Sequence, residues 1–225
     1  MTETPHYAGH RQRLRQRLMR DPRSLADYEI LELVLASVLP RRDTKPLAKA
    51  LIERFGSLGA ALAAQPEELA ECKGVGQGVV AHWHLLQEMQ ARLAEGNLGQ
   101  ADQLSTVEAV ARAGMARIGN KRTEEFWVAL LDSSNRVIEW DRVSAGTVDR
   151  VDAYPREILA LALKRQARSV ILVHNHPGGD PTPSEEDRLL TLGVARVAET
   201  LEILVRDHVV VADSGYYSFH EHGLL

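Results

Sequence analysis

In the first part of the chain apolar residues recur every three or four positions, the spacing of helices that bury one face. Between Asp27 and Leu39 the stripe Tyr28, Leu31, Val34, Leu35 and Val38 predicts a helix turned to a core. Asp27 is placed to cap it and Pro40 to stop it. Pro46 to Phe55 predicts a second helix, with proline in its first turn and Gly56 behind it. Ser57 to Ala64 and Pro66 to Glu71 predict two short helices. A longer one follows the turn Gly74-Val75-Gly76 and runs to about Ala94. His82 and His84 on it stand two apart and share no face, so no ligand pair is expected there. Glu95 to Leu104 breaks the periodicity with two Gly among polar residues and reads as a linker. It separates an all-helical domain over 1–96 from a second domain over 104–225.

The second part mixes short apolar runs with helical stretches. Ser105 and Glu108 have the spacing of a capping box, opening a helix that ends near Gly119-Asn120. Glu125 to Leu131 is apolar on both faces, which predicts a central strand. Asp132 to Asn135 is a turn, Arg136 to Val143 a returning strand, and Gly146-Thr147 follows. Tyr154-Pro155 opens a helix expected to bury Leu159, Leu161, Ala162 and Leu163. Ser169 to Val173 is short enough for a buried strand. A helix from Ser184 to about Thr200 is followed by strands at Glu202–Val205 and His208–Val211. The order is strand, strand, helix, strand, helix, strand, strand, an α/β unit.

Composition narrows the function classes. With 44% apolar residues in 225, the chain has enough for one large core or two small ones. The formal charge of −4 gives no whole-chain nucleic-acid signature. Its distribution is uneven: 13 Lys and Arg against 12 Asp and Glu in residues 1–100, then 14 against 19 in residues 101–225. The single cysteine, Cys72, excludes an intrachain disulfide and a cysteine-based zinc finger, and fits a reducing compartment. Met1 to His10 has no apolar signal region, and no run reaches the ~18 apolar residues of a membrane span. The expectation is a cytoplasmic protein with no membrane partner. No feature points to a particular oligomer.

Candidate chemistry is concentrated after the Ser169–Val173 run. His174 and His176 lie two apart at the end of that strand, so both side chains point to one face. A Gly/Pro-rich loop then leads to a helix starting with Ser184-Glu185-Glu186-Asp187. Asp187, in the first turn of that helix, can close on the histidines, giving two nitrogens and one oxygen and leaving a fourth position open, as a catalytic zinc needs. Ser184 can cap the helix or present its hydroxyl to the reacting centre. Gly178-Gly179 lets the backbone pass close to a ligand.

Two basic features sit in the helical part. His10 to Arg20 holds five Arg within ten residues, which suits either phosphate contact or a solvated face. The turn Cys72-Lys73-Gly74-Val75-Gly76 between a short and a long helix resembles the helix–hairpin–helix module. Amides at the start of the second helix could face a phosphate, with Lys73 adding charge and Gly74 and Gly76 leaving the backbone bare. Such a contact would be non-specific DNA binding through the backbone. A Gly-x-Gly turn also serves close packing, and Glu67, Glu68 and Glu71 lie nearby.

His174-x-His176, seven residues, Ser184-x-x-Asp187 resembles the JAMM motif of the MPN/JAB metallopeptidase fold. The wording His174-Asn175-His176-Pro177, the pair Asp207-His208 and the ending Tyr217-Ser218-Phe219-His220-Glu221-His222-Gly223 resemble its RadC branch, as does Gly9-His10-Arg11-Gln12-Arg13-Leu14. Gly178 departs from the more usual Ser and touches no implied ligand. The resemblance spans nearly the whole chain. It implies a JAB/MPN, cytidine-deaminase-like domain with a mixed central sheet, following the helical domain. It further implies one Zn²⁺ per chain on His174, His176 and Asp187, with a bound water whose pKa falls towards ~7. A glutamate moves the proton, and Ser184 hydrogen-bonds the developing oxyanion or that water. The RadC pattern places this glutamate two residues before a Phe, which selects Glu124; other JAMM proteins place it directly before the apolar run, which would select Glu125. Asp207 and His208 are candidates to orient a ligand histidine through its other ring nitrogen, and Asn175, on the opposite strand face, reads as structural. The implied activity is a metallopeptidase cleaving a peptide or isopeptide bond in an unknown protein substrate. The alternative is a DNA-binding, DNA-repair-associated protein whose metal domain is structural or a binding module.

Overall fold

A computed structural model describes residues 6–96, 98, 106–145 and 154–225. The chain forms two compact units, Met1–Gln87 and Glu88–Leu225. The first is built from α1 (His6–Arg20), α2 (Asp27–Val38), α3 (Lys45–Phe55), α4 (Leu58–Ala63), α5 (Pro66–Ala70) and the start of α6 (Gln77–Gly96). Leu31 and Leu35 of the α2 stripe are fully buried and meet Leu47, Leu51, Ala61, Leu69, Val79 and Trp83. The Trp83 indole donates to the Ala61 carbonyl at 2.8 Å, so the largest core side chain leaves no polar atom unmet.

The capping of α2 differs from expectation. Ala26 is the cap residue, and Glu29 reaches back to accept its N–H at 3.0 Å. Asp27 lies in the first turn and accepts from the Leu58 N–H. Arg11, Glu29 and Glu32 are buried, which a rule placing charge outside does not foresee. Arg11 donates to the carbonyls of Leu39, Pro40 and Arg42 in the turn that follows α2. Arg17 pairs with Glu29 at 2.8 Å, so two of the five clustered arginines serve the fold.

The division between units falls inside α6, ahead of the stretch the composition marks as linker. Glu88 and Glu95 of α6 both bind Arg117 of α7 (Thr106–Ile118), and Ala94 and Leu98 pack in the core of the second unit. Residues 97 and 99–105, including Ser105 of the expected capping box, lie outside the described residues, as does Gly146-Thr147.

The second unit holds a five-stranded mixed sheet in the order β2-β1-β3-β4-β5. The strands are β1 (Glu125–Leu131), β2 (Val137–Ala145), β3 (Ser169–Asn175), β4 (Leu204–Ala212) and β5 (Gly215–Ser218). Only β3 and β4 run parallel, joined by the crossover α9 (Glu185–Thr200). Side-chain alternation gives the sheet two cores. Phe126, Val128, Leu130, Val170 and Leu172 pack against α8 (Pro155–Lys164) and α9; Ala129, Leu131, Ile171, Val173, Val209 and Val211 pack against α7. Gly114 of α7 lies so close that an added Cβ would sit 2.9 Å from Val173 Cγ1. In α8 Ile158, Leu159 and Ala162 are buried, but Leu163 is exposed, because its position turns past the core-facing stripe.

Where two strands were expected over Glu202–Val211, there is one. The β3–β4 register slips between Val170 and Ile171, so Val205 pairs with Val170 but Asp207 with Ile171. The extra residue, Arg206, reverses the alternation. It puts His208 on the same face as Val205, three residues earlier, and therefore beside His174. Among the described residues no helix is long and apolar enough to cross a membrane.

Candidate metal centre

Strand β3 ends at Asn175 and the chain turns out through His176 into the Gly/Pro loop. The turn is pinned to β4, since the His176 N–H donates to the Val211 carbonyl at 3.0 Å and the Ser214 hydroxyl donates to the Gly179 carbonyl. On the far side of the loop, Ser184 caps α9. Its oxygen accepts the Asp187 N–H, while its own N–H and hydroxyl donate to Asp187 Oδ2 at 2.7 and 2.6 Å. Ser184 thus fixes the Asp187 carboxylate with Oδ1 turned to His174 and Oδ2 shared between Ser184 and His176.

The three side chains converge. His174 Nε2 lies 3.0 Å from His176 Nε2 and 3.1 Å from Asp187 Oδ1, and His176 Nε2 lies 3.3 Å from Asp187 Oδ2. A tetrahedral zinc with bonds of about 2.0–2.1 Å spaces its ligand atoms by about 3.3 Å, close to these edges. Together His174, His176 and Asp187 form a group that could hold a metal ion.

Hydrogen bonds set the proton positions. His176 Nδ1 faces the Asp180 carbonyl at 2.9 Å. A carbonyl only accepts, so the proton is on Nδ1 and Nε2 is bare in the neutral ring. His174 is set through a longer chain. The Thr191 hydroxyl donates to the Asp187 carbonyl at 2.5 Å, so it accepts from His208 Nδ1 at 2.6 Å. His208 Nε2 is then an acceptor, and His174 Nδ1 donates to it at 2.8 Å. This leaves His174 Nε2 bare as well. In the neutral rings two nitrogen lone pairs and a carboxylate therefore face one another, an arrangement that a proton or a bound cation relieves, and the donor set fits zinc.

The Asp187 carboxylate raises the His176 pKa above its ordinary value. Burial opposes ionisation of Asp187, yet the His174 and His176 rings beside it, which can carry a proton towards it, hold its carboxyl well below the usual range. Burial drives the His208 pKa far down, so the ring stays neutral as the chain of hydrogen bonds requires. Phe126 stacks on His174 with centroids 5.9 Å apart, and Phe219 on His208 at 4.8 Å, keeping water from both rings.

The two candidate glutamates point to opposite faces. Phe126 pairs with His174 across the β1–β3 ladder, and alternation puts Glu124 on that same face. Burial raises the Glu124 pKa; the Asp187 charge adds to this, while His174 and His176 oppose it, as expected of a carboxylate beside the three ligands. Glu125 faces the other way, buried against Lys121 Nζ at 2.6 Å and the Trp127 indole at 2.9 Å. The pair Asp207-His208 is also split. His208 touches His174, whereas Asp207 accepts from the Ser218 hydroxyl and the His220 N–H and holds the C-terminal turn. Thr191, which orients His208, carries no motif in the sequence; its one signal is that it lies one helical turn beyond Asp187, on the same face.

In the first unit, the Gly74 carbonyl accepts from Arg42 at 3.0 Å, and Gly74 has φ +98°, open to glycine alone at low cost. The Gly76 carbonyl accepts the Val79 and Val80 N–H groups, so α6 starts at this turn. Lys73 and Gly76 are exposed. These residues are remote in sequence from the metal group, which includes none of them.

Two histidines, a capped aspartate and a half-buried glutamate thus gather at one end of a mixed sheet, as a group that could hold a metal ion. Residues 104–224 match the family model described as the RadC-like JAB domain. The chain is also 42% identical over 202 residues to a UPF0758 protein of Rhodobacter capsulatus, covering 90% of this chain and 94% of that one. The chain belongs to the RadC-like JAB domain family.

Proposed function

We propose that this protein is a zinc-dependent hydrolase of the JAMM type, cleaving a peptide or isopeptide bond in a protein substrate. The reading rests chiefly on the two bare Nε2 atoms meeting Asp187 beneath Glu124. A zinc bound there supplies a water of lowered pKa and a Lewis acid for the scissile carbonyl. The residues around it do the rest. Thr191 and His208 keep the proton of His174 off the metal side, and the Asp180 carbonyl does the same for His176. Ser184 holds Asp187, with its hydroxyl proton committed to Oδ2. Glu124, its pKa raised by burial, is a stronger base than an exposed glutamate and is suited to take a proton and return it to the leaving amine. The single, half-buried Cys72 suits a cytoplasmic setting.

The test is a screen of internally quenched peptides and a lysine-linked isopeptide with zinc-loaded protein, beside Glu124→Gln. Turnover that disappears in Glu124→Gln while zinc is retained supports the hydrolase. Turnover that persists at the same rate refutes the role of Glu124. Zinc in both proteins without turnover of any substrate favours a metal-holding binding module.

A second reading has its own observation. The exposed Lys73, Gly76 and Gln77 lie where α6 opens, and such amides suit a phosphate. We infer that this turn contacts DNA without sequence preference. Lys73→Ala combined with Gly76→Asp then weakens retention on duplex DNA at low salt and leaves zinc content unchanged. Equal retention removes this reading.

A further inference from the structure

The residue between the two histidines faces away from the metal group. Asn175 is fully buried, and its carboxamide makes three hydrogen bonds, all to one short segment. Oδ1 accepts the Glu125 N–H at 2.8 Å; Nδ2 donates to the carbonyls of Thr123 at 3.1 Å and Lys121 at 3.3 Å. That segment carries Glu124. On the β3 side the ladder of β1 ends at the pair Phe126–His174, so upstream of Phe126 the sheet no longer holds the chain there. The Asn175 side chain takes over where the ladder stops. Its three bonds need one acceptor and two donors in a plane, which aspartate, leucine and alanine lack. The Glu125 side chain is tied down on that same face, away from the metal group, by Lys121 and Trp127, so both the backbone and the side chain of the residue after Glu124 are held.

We propose that Asn175 is a positioning residue for Glu124. Through it, adjoining residues of β3 hold both the metal ligands and the segment bearing the proton acceptor. The spacing between metal and carboxylate is then set inside one strand end rather than by a free loop. Misplacing a reacting group by about 1 Å costs on the order of 10²-fold in rate, which is what such a tie prevents. The inference rests on the proposed role of Glu124 beside a bound metal.

The experiment loads Co²⁺ in place of zinc and records metal per chain and the visible spectrum against pH. The proteins compared are wild type, Glu124→Gln, Asn175→Ala, Asn175→Asp and the double variant Glu124→Gln/Asn175→Ala. All are expected to bind one Co²⁺. Glu124→Gln shifts the spectral pH midpoint. Asn175→Ala shifts it in the same direction, and Asn175→Asp, which keeps only the acceptor for the Glu125 N–H, shifts it less. The double variant shows no shift beyond Glu124→Gln alone, since Asn175 acts through Glu124. A wild-type midpoint in Asn175→Ala, or an additive double variant, overturns the proposal. Loss of Co²⁺ from Asn175→Ala also overturns it, by showing that the residue supports the ligands instead. If Asn175→Ala does not fold, a wild-type midpoint in Asn175→Asp has the same force. A Glu124→Gln protein with an unshifted midpoint fails the underlying reading of Glu124, and this inference with it.

Discussion

Replacing His208 by leucine removes the acceptor of the His174 Nδ1 proton while keeping bulk between Phe126 and Phe219. His174 and His208 are both fully buried, so no water replaces the lost partner. A buried N–H left unmet costs about 1–3 kcal/mol. The neutral ring can avoid that cost by moving its proton to Nε2 and donating to Asp187 Oδ1, 3.1 Å away. The proton then sits where the metal must bind and has to be displaced. Loss of such an orienting partner typically lowers metal affinity by about 10–100-fold, or about 1.4–2.8 kcal/mol at ~1.4 kcal/mol per decade. The two routes give the same range. The assay is competition for Zn²⁺ against a chromophoric chelator at pH 7, with circular dichroism to verify folding. His208→Gln, which can place an amide oxygen near the lost Nε2, is expected to recover part of the affinity. A folded His208→Leu protein binding zinc within twofold of wild type would show that the hydrogen-bond chain does not set the ligand.

Gly114→Ala should destabilise by about 1–3 kcal/mol, because its Cβ would press on Val173 and Val211 in a packed core; helix propensity alone predicts a gain of ~1 kcal/mol, so the sign of the change in denaturant midpoint decides. Asp207 supplies the pH prediction. Burial raises its pKa in the fold despite bonds from Ser218, His220 and His208. Its ionised form therefore costs stability above the folded pKa, and the cost fades as pH falls through that value towards the unfolded pKa. Asp207→Asn, which keeps two acceptor bonds and turns the third around, is expected to gain stability over wild type at pH 7, with the gain shrinking as pH falls towards 4. Thermal melts that show a gain growing with acidity would contradict this.

The grouping of the candidate ligands was legible in the sequence because it is local. His174, His176, Ser184 and Asp187 lie in one strand–loop–helix stretch, and strand alternation with helix capping places them without knowledge of the rest. The mixed sheet following helices was legible for a similar reason: its strands are short apolar runs between periodic segments. Choosing between Glu124 and Glu125 required the β1–β3 register, which the chain's local pattern does not contain. His208 faces the site only because of the bulge at Arg206, and a slip of one residue leaves no mark in composition. Thr191 and Asn175 act through partners far away in sequence, and Asn175 looked structural because it faces away from the ligands. Buried Arg11, Glu29 and Glu32 escaped for the converse reason: charge reads as exposed until a carbonyl or counter-ion is brought to it.

The central claim is that the bare nitrogens of His174 and His176 and the Asp187 carboxylate hold a metal ion. Elemental analysis of protein purified without added metal, beside His176→Ala, tests it most directly. The account predicts about one zinc per chain in the wild type and little in the variant. No zinc in the wild type, or equal zinc in both proteins, would contradict it.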